Sequence, residues 1–283
     1  MNNKKIFIQT NGKQYAGALL AKYALERNMK SEIIPVEIID VDETPAFKAL
    51  ANKSYLRKNK EVVADPNDLQ HFTLTRFMPP ERMDFQGKAV VIDPDIFALS
   101  DINELFTTDM KGRAILACKK KDAWDTSVML LDCAKLSHWK IETIIKELVE
   151  HRLDYNTLMT LSNEDSVGEI PRIWNSLDEL HPETKMLHTT NRLTQPWRTG
   201  LPIDFTRNPL PKYLGVIPRE PIYKLLGKYP THYQKHPDEN IENFFFKLAK
   251  DAFSEGVFTK EILEDEIKTG HLRKDFETKM QST

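Results

Sequence analysis

Asp93-Pro94-Asp95 is the stretch best equipped for chemistry. Two carboxylates, one residue apart, follow the apolar run Ala89-Val90-Val91-Ile92, which reads as a fully buried strand. Ligands of open α/β sheets bind just beyond the carboxyl ends of strands, so both acids would face a ligand. A close pair of carboxylates suits a hard divalent cation, which takes oxygen ligands. Pro94 fixes φ and stiffens the turn between them. The competing reading is plain, because acids after a strand commonly cap a helix or begin a turn. Asp101 and Glu104 form a capping-box pattern for a short helix through Leu105 and Phe106. The second informative stretch runs from Met186 through His188 to Gln195-Pro196-Trp197. A lone His is usually structural or exposed. A His at fixed spacing from Pro-Trp, downstream of a strand-end Asp-x-Asp, is more specific.

The elements that must position these groups follow from hydrophobic periodicity. Residues 5–9 read as a strand and residues 14–27 as a helix, with Leu20, Ala21, Ala24, Leu25 and Gly17 on one face. Residues 31–39 read as a second strand. This opening predicts a mainly parallel sheet with crossover helices. Residues 45–64 are charged and read as helix, then loop. Residues 114–118 read as a strand and 127–131 as an edge or antiparallel strand. The clearest helix spans 139–151, where Ile141, Ile144, Ile145, Leu148 and Val149 form an apolar stripe. Residues 169–178 are less regular. A catalytic domain of residues 1–200 and a Pro-punctuated, helical extension of 201–283 are expected. In the extension, Ile241, Phe244, Phe245, Leu248, Ala249 and Ala252 form a wide stripe, Thr259 caps a last helix and Gly270 closes it. Such apolar helices must pack on the catalytic domain or on a second subunit.

Composition limits the function. The 283 residues are 40% hydrophobic and 29% charged, with net charge −2. This fits a soluble globular protein without general affinity for nucleic acid. Two cysteines make neither a disulfide framework nor a Cys-rich zinc site. No apolar window approaches a membrane span, and the N-terminal apolar run is too short for a signal peptide. The expectation is a cytoplasmic protein, with peripheral membrane contact left open.

From about residue 5 to residue 197 the chain resembles retaining, nucleotide-sugar-dependent glycosyltransferases of the glycogenin and lipopolysaccharide galactosyltransferase type (family 8). Arg76, Asp93, Asp95, Leu99 and Asp101-Ile102 match that family's strand-end motif and its surroundings. Asp125-Thr126-Ser127-Val128-Met129 looks like its Asn-Ser-Gly-Val-Met segment, and Asp154-Tyr155 like its Asp-Gln pair. His188 with Gln195-Pro196-Trp197 loosely matches the terminal His-x-x-Gly-x-x-Lys-Pro-Trp motif. The resemblance implies a GT-A fold, a UDP-sugar donor, a carbohydrate, glycolipid or glycan acceptor, and retention of anomeric configuration. It implies Mn²⁺ (or Mg²⁺) held by Asp93, Asp95 and His188, with Asp93 also reaching the ribose. Arg76 is expected near the phosphates or the sugar, Asp154 on the sugar face, and Thr10, Asn11 and Tyr15 around the base. Trp174 and Trp197 are expected in the core.

Three departures stand out. Ser127 replaces Gly, Tyr155 replaces Gln, and Gln195 replaces the Lys that touches the diphosphate. Arg192 or Arg198 could supply that charge, and Gln195→Lys is expected to tighten UDP. A haloacid-dehalogenase phosphatase would want Thr or Val where Phe97 stands, and a nucleotidyltransferase would want a Gly-rich loop where only Gly12 is available. The surviving alternative is a non-catalytic sugar-nucleotide-binding or scaffold protein with a degenerate site.

Overall fold

The computed structural model describes residues 3–205, 218–226 and 229–283. β1 (Lys4–Thr10), a 3₁₀ turn, α1 (Tyr15–Asn28) and β2 (Val36–Asp40) open the chain. Next come α2 (Pro45–Lys48), β3 (Ser54–Arg57), β4 (Lys60–Val63), α3 (Pro79–Arg82), β5 (Lys88–Ile92), β6 (Ile96–Ala98) and α4 (Asn103–Phe106). The second half holds β7 (Ile115–Lys119), β8 (Trp124–Asp132), α5 (Ile141–Val149), α6 (Tyr155–Met159), β9 (Val167–Glu169), β10 (Ser176–Leu177) and β11 (Met186–His188). α7 (Arg219–Leu225), α8 (Glu239–Ser254), α9 (Lys260–Lys268) and α10 (Phe276–Ser282) follow.

The main sheet is six-stranded, in the order β2-β1-β5-β8-β7-β9. β8 alone runs antiparallel to its neighbours, so the sheet is mixed and mainly parallel, as the sequence predicts. Its pleat sorts the apolar runs into two layers. Ile6, Ile8, Val90, Ile92, Val128 and Leu130 join a core beneath α1 and α8. Phe7, Ala89, Val91, Met129 and Leu131 face the opposite core, which α5 covers. The strictly alternating assignment explains why these strands read as continuous apolar runs, since both faces are buried.

A second sheet, β10-β11-β6, positions the site. β6 pairs antiparallel with β11, which sets His188 opposite Ile96. Thr189 N–H donates to the Asp95 carbonyl at 3.0 Å. A histidine 93 residues downstream is thereby fixed beside the Asp-x-Asp turn.

Four local expectations change. Only Pro45–Lys48 of the 45–64 stretch is helical, and most of the rest is the β3–β4 hairpin. Its turn residues Lys58 and Asn59 take φ of 54° and 57°, which ordinary turn signals do not announce. Residues 31–35 stay outside the strand, which starts at Val36. The 139–151 helix is trimmed to Ile141–Val149. Asp101 and Glu104 form no capping box. Asp101 instead accepts from Asn103 N–H at 3.0 Å and from Lys30 N–H at 3.2 Å, while Glu104 pairs with Lys185.

The C-terminal helices pack on the sheet layer rather than standing apart. α8 lies against α1, and Phe245 stacks on Trp197 with ring centroids 4.8 Å apart. Trp174 and Trp197 are both buried, as expected. Thr259 caps α9 as expected, and α10 is an additional helix. Pro209 and Pro211 of the Pro-punctuated stretch lie outside the described residues.

Candidate active site

β5 is central in the sheet, so its end lies between the ends of β1 and β8. Ile8 pairs with Ile92 and Val128 pairs with Ile92 from the other side. One residue further, Gln9 and Asp93 meet, and Asp93 N–H donates to the Ser127 carbonyl at 3.1 Å. Gln9 Nε2 donates to Asp93 Oδ1, and Arg76 Nη2 donates to the same oxygen at 2.8 Å. Arg76 Nη1 also donates to Thr126 Oγ1. Arg76 thus braces Asp93 against β8 rather than standing free. Among the described residues its Nε has no hydrogen-bond partner.

α1 comes close to the Asp-x-Asp turn because residue 17 is glycine. A Cβ at Gly17 would lie 2.8 Å from the Pro94 carbonyl oxygen. Asp95 then faces β11: its Oδ1 is 3.3 Å from His188 Nε2, and its Oδ2 accepts from Gln195 Nε2 at 3.0 Å. His188 Nδ1 lies 2.8 Å from Asn175 Oδ1. An amide oxygen accepts there, so Nδ1 donates, and Nε2 is the nitrogen that would be left to a cation at the acids.

These three residues meet a metal's needs. One ligand atom each from Asp93, Asp95 and His188 lies within 4.8 Å of the others. Two carboxylate oxygens and an oriented imidazole match Mn²⁺ or Mg²⁺ better than a thiolate-seeking ion. The electrostatics agree. Burial pushes the Asp93 carboxyl above its ordinary range, with Arg76 opposing and Asp95 adding to the rise. For His188, burial favours the neutral ring, yet Asp95, Asp93 and Asp125 raise its pKa overall. Without a cation, the cluster must take up protons to relieve its own repulsion.

The ligands lie in a cleft of about 630 Å³ that also holds Gln14, Arg57, Lys58, Lys60, Arg76, Lys120, Asp125, Thr126, Tyr155, Asn156 and Arg192. Asp125 is its third acid. It is buried, 3.2 Å from both Lys120 Nζ and Arg172 Nη1. Burial alone would raise its pKa, but Lys120 and the Ser127 N–H outweigh this and hold it at about 2.

Other expected residues are used differently. Asp154 caps α6, accepting from Asn156 N–H at 2.6 Å, and also accepts from the hairpin-turn amides of Asn59 at 2.7 Å and Lys58 at 3.2 Å. Its oxygens are spent on backbone amides, so it positions the hairpin and leaves the cleft to Tyr155 and Asn156. Gln195 is fully buried, and its Nε2 donates to Asp95 Oδ2 at 3.0 Å. Arg198 is also buried, bonded to Asp204 at 3.3 Å and to the Lys13 carbonyl. Arg192, not Arg198, lines the cleft. Thr10 and Asn11 are buried, Asn11 capping the 3₁₀ turn and donating to the Leu69 carbonyl at 3.1 Å. Tyr15 is 36% exposed at the start of α1, and Gln14 beside it lines the cleft. Sequence reasoning missed Gln9, Gln14, Lys120, Asn175 and the hairpin cations. A polar Gln9 ending an apolar strand was the one local signal available.

The profile for glycosyl transferase family 8 matches residues 20–173, just over half of the chain. Protein CDI of Arabidopsis thaliana is 27% identical over 178 residues, covering 53% of this chain and 61% of that protein. The chain therefore matches less than two thirds of that relative's length. Among solved structures, the glycosyltransferase GlyE of Streptococcus pneumoniae TIGR4 superposes with a TM-score of 0.50 at 13% identity, over 90% of this chain and 64% of its own. The galactosyltransferase LgtC, solved with donor and acceptor sugar analogues, gives a TM-score of 0.45 at 14% identity over 69% of this chain and 89% of its own.

Proposed function

Because the chain belongs to glycosyl transferase family 8 and has the GT-A fold, we propose that it moves a sugar from a UDP-sugar to an acceptor hydroxyl, with divalent-metal dependence and retention of anomeric configuration. The observation that carries this reading is the convergence of Asp93, Asp95 and His188 on the floor of a large polar cleft. These three residues would hold Mn²⁺ or Mg²⁺, which when bound offsets charge on the leaving diphosphate as a Lewis acid.

The chain's own groups do the rest. The bond between the anomeric carbon and a diphosphate oxygen breaks, and an acceptor oxygen bonds to that carbon on the same face as its proton passes to the departing diphosphate oxygen. Positive charge develops at the anomeric centre, where a fixed carboxylate stabilises it. Asp125 suits that task, because it faces the cleft and stays ionised. It replaces Asp154 in the role the resemblance assigned. Arg76 holds Asp93 and Thr126 in register, and Asn175 holds the His188 proton on Nδ1.

The alternative of a non-catalytic sugar-nucleotide-binding or scaffold protein draws on one observation: no lysine stands at Gln195 to meet a diphosphate. A panel of nucleotide sugars, with and without Mn²⁺, separates the readings. Ligands that bind only the native state raise its melting temperature. UDP-sugars should do so only with Mn²⁺, and the protein should release UDP and a sugar of retained configuration. Full donor turnover in excess EDTA, or in Asp95→Asn, would remove the metal mechanism. Mn²⁺-dependent binding with no hydrolysis or transfer would leave the binding protein ahead.

A further inference from the structure

Six cationic side chains line the cleft against three carboxylates. Two of the six are already paired, Arg76 with Asp93 and Lys120 with Asp125. Arg57, Lys58, Lys60 and Arg192 are not. Among the described residues none of the four has a carboxylate within 4.0 Å in an ion pair. A divalent cation at the acids would raise the positive excess beyond what one nucleotide-sugar diphosphate neutralises.

Three of these cations sit on one built device. The β3–β4 hairpin docks on α6 through a bridge between Leu56 and Asp154. Asp154 grips the amides of Lys58 and Asn59, which fixes a turn with two positive φ angles. The Arg57 guanidinium lies 4.9 Å from the centre of the Tyr155 ring, and Tyr155 is tied to Thr73 through a 2.7 Å hydroxyl contact. Arg192 comes from the opposite end of the chain, and its guanidinium lies 4.5 Å from the Phe205 ring. Burial lowers the Arg192 pKa, Asp68 opposes this, and the nearby charge of Arg57 adds a smaller lowering. Arginines parked on aromatic faces keep their N–H forks free for bidentate anion recognition. Like charges held together gain from a bound anion.

We propose that Arg57, Lys58, Lys60 and Arg192 form an anion subsite that selects an acceptor carrying phosphate or carboxylate groups. The inference rests on the sugar-transfer reading for the word acceptor alone. The anion subsite itself stands on the geometry.

Titration calorimetry with glucose 6-phosphate, glucuronate and glucose tests it, with and without UDP and Mn²⁺. The wild-type chain should bind one or both anionic sugars at least tenfold more tightly than glucose. The two probes distinguish a phosphate from a carboxylate preference. Arg57→Gln combined with Lys58→Gln and Lys60→Gln should remove at least tenfold of that preference and leave UDP affinity within twofold, and Arg192→Gln should separately remove at least tenfold of the preference measured without UDP. Circular dichroism melting confirms that the exposed-hairpin variant is folded. Equal binding of glucose and the anionic sugars would overturn the proposal. So would a loss of UDP affinity as large as the loss for the sugars, because the cations would then serve the donor. Failure of wild-type UDP binding with Mn²⁺ would sink the donor reading, while the anion preference measured without UDP still decides the subsite.

Discussion

Asn175 is the residue that would orient His188 toward a cation. Its amide oxygen lies 2.8 Å from His188 Nδ1, which leaves Nε2 toward Asp95 for the proposed metal. Partners of this kind typically alter metal affinity by about 10–100-fold when removed. Asn175→Ala should therefore weaken Mn²⁺ binding on that scale, read by calorimetry, while the melting temperature of the metal-free protein changes little. Gln195 is the other supporting residue. The sequence suggests that a lysine here would tighten UDP, but the geometry reverses the sign. The position faces Asp95 Oδ2 at 3.0 Å, so an ammonium would compete with the cation for that carboxylate. Gln195→Lys should lower Mn²⁺ affinity, and with it UDP affinity in the presence of Mn²⁺.

Among the elements, α1 and the hairpin set the walls of the cleft. The absent Cβ at Gly17 lets α1 approach the Pro94 carbonyl. Alanine favours helix formation, so Gly17→Ala would stabilise an isolated helix. Here the added methyl would sit 2.8 Å from a backbone oxygen that anchors the ligand turn. The expected result is a loss of about 1–3 kcal/mol in denaturant unfolding, the usual range for overpacking, with weaker Mn²⁺ binding. Asp154 acts on the other wall. Asp154→Ala should cost about 1 kcal/mol as a lost helix cap. It should also free the hairpin and reduce binding of anionic sugars. Burial would raise the pKa of Asp154, but the backbone amides of Asn59, Asn156 and Lys58 lower it overall. A lowered folded pKa means that its contribution is present above the unfolded pKa and is lost as pH falls through the folded value. Protection of the hairpin amides, taken relative to their intrinsic exchange rates, should therefore fall as Asp154 is protonated in acid.

At the scale of the whole molecule, the C-terminal helices complete the core instead of decorating it. α8 inserts Phe245 between Trp197 and Phe97, with centroid distances of 4.8 and 5.5 Å, and Phe276 of α10 closes over Phe246 at 5.2 Å. Trp197 is two residues from Gln195, so this aromatic cluster supports the ligand loop. Phe245→Ala should cost about 3–5 kcal/mol, typical of a buried Phe truncation, measured by urea unfolding. A chain ending near residue 238 should be insoluble or partly folded, because α1 would lose α8, against which Tyr23 and Arg27 now bond, and the core would lose Phe245, Phe246 and Leu248.

The sequence by itself determined the local features. The buried strand before Asp93, the amphipathic stripe of α5 and the Thr259 cap of α9 are all written in neighbouring residue types. Those signals need only the pleat and the helical period, which act within a few residues. The tertiary structure alone decided who meets whom. Gln9 reaches Asp93 because β1 lies beside β5, and Arg172 reaches Asp125 from beyond β9. Asp154 is held by two turn amides 95 and 96 residues away, in a hairpin whose Lys58-Asn59 turn carries no glycine. Strand order and turn docking are settled by burial of the whole core, and no local window contains that information.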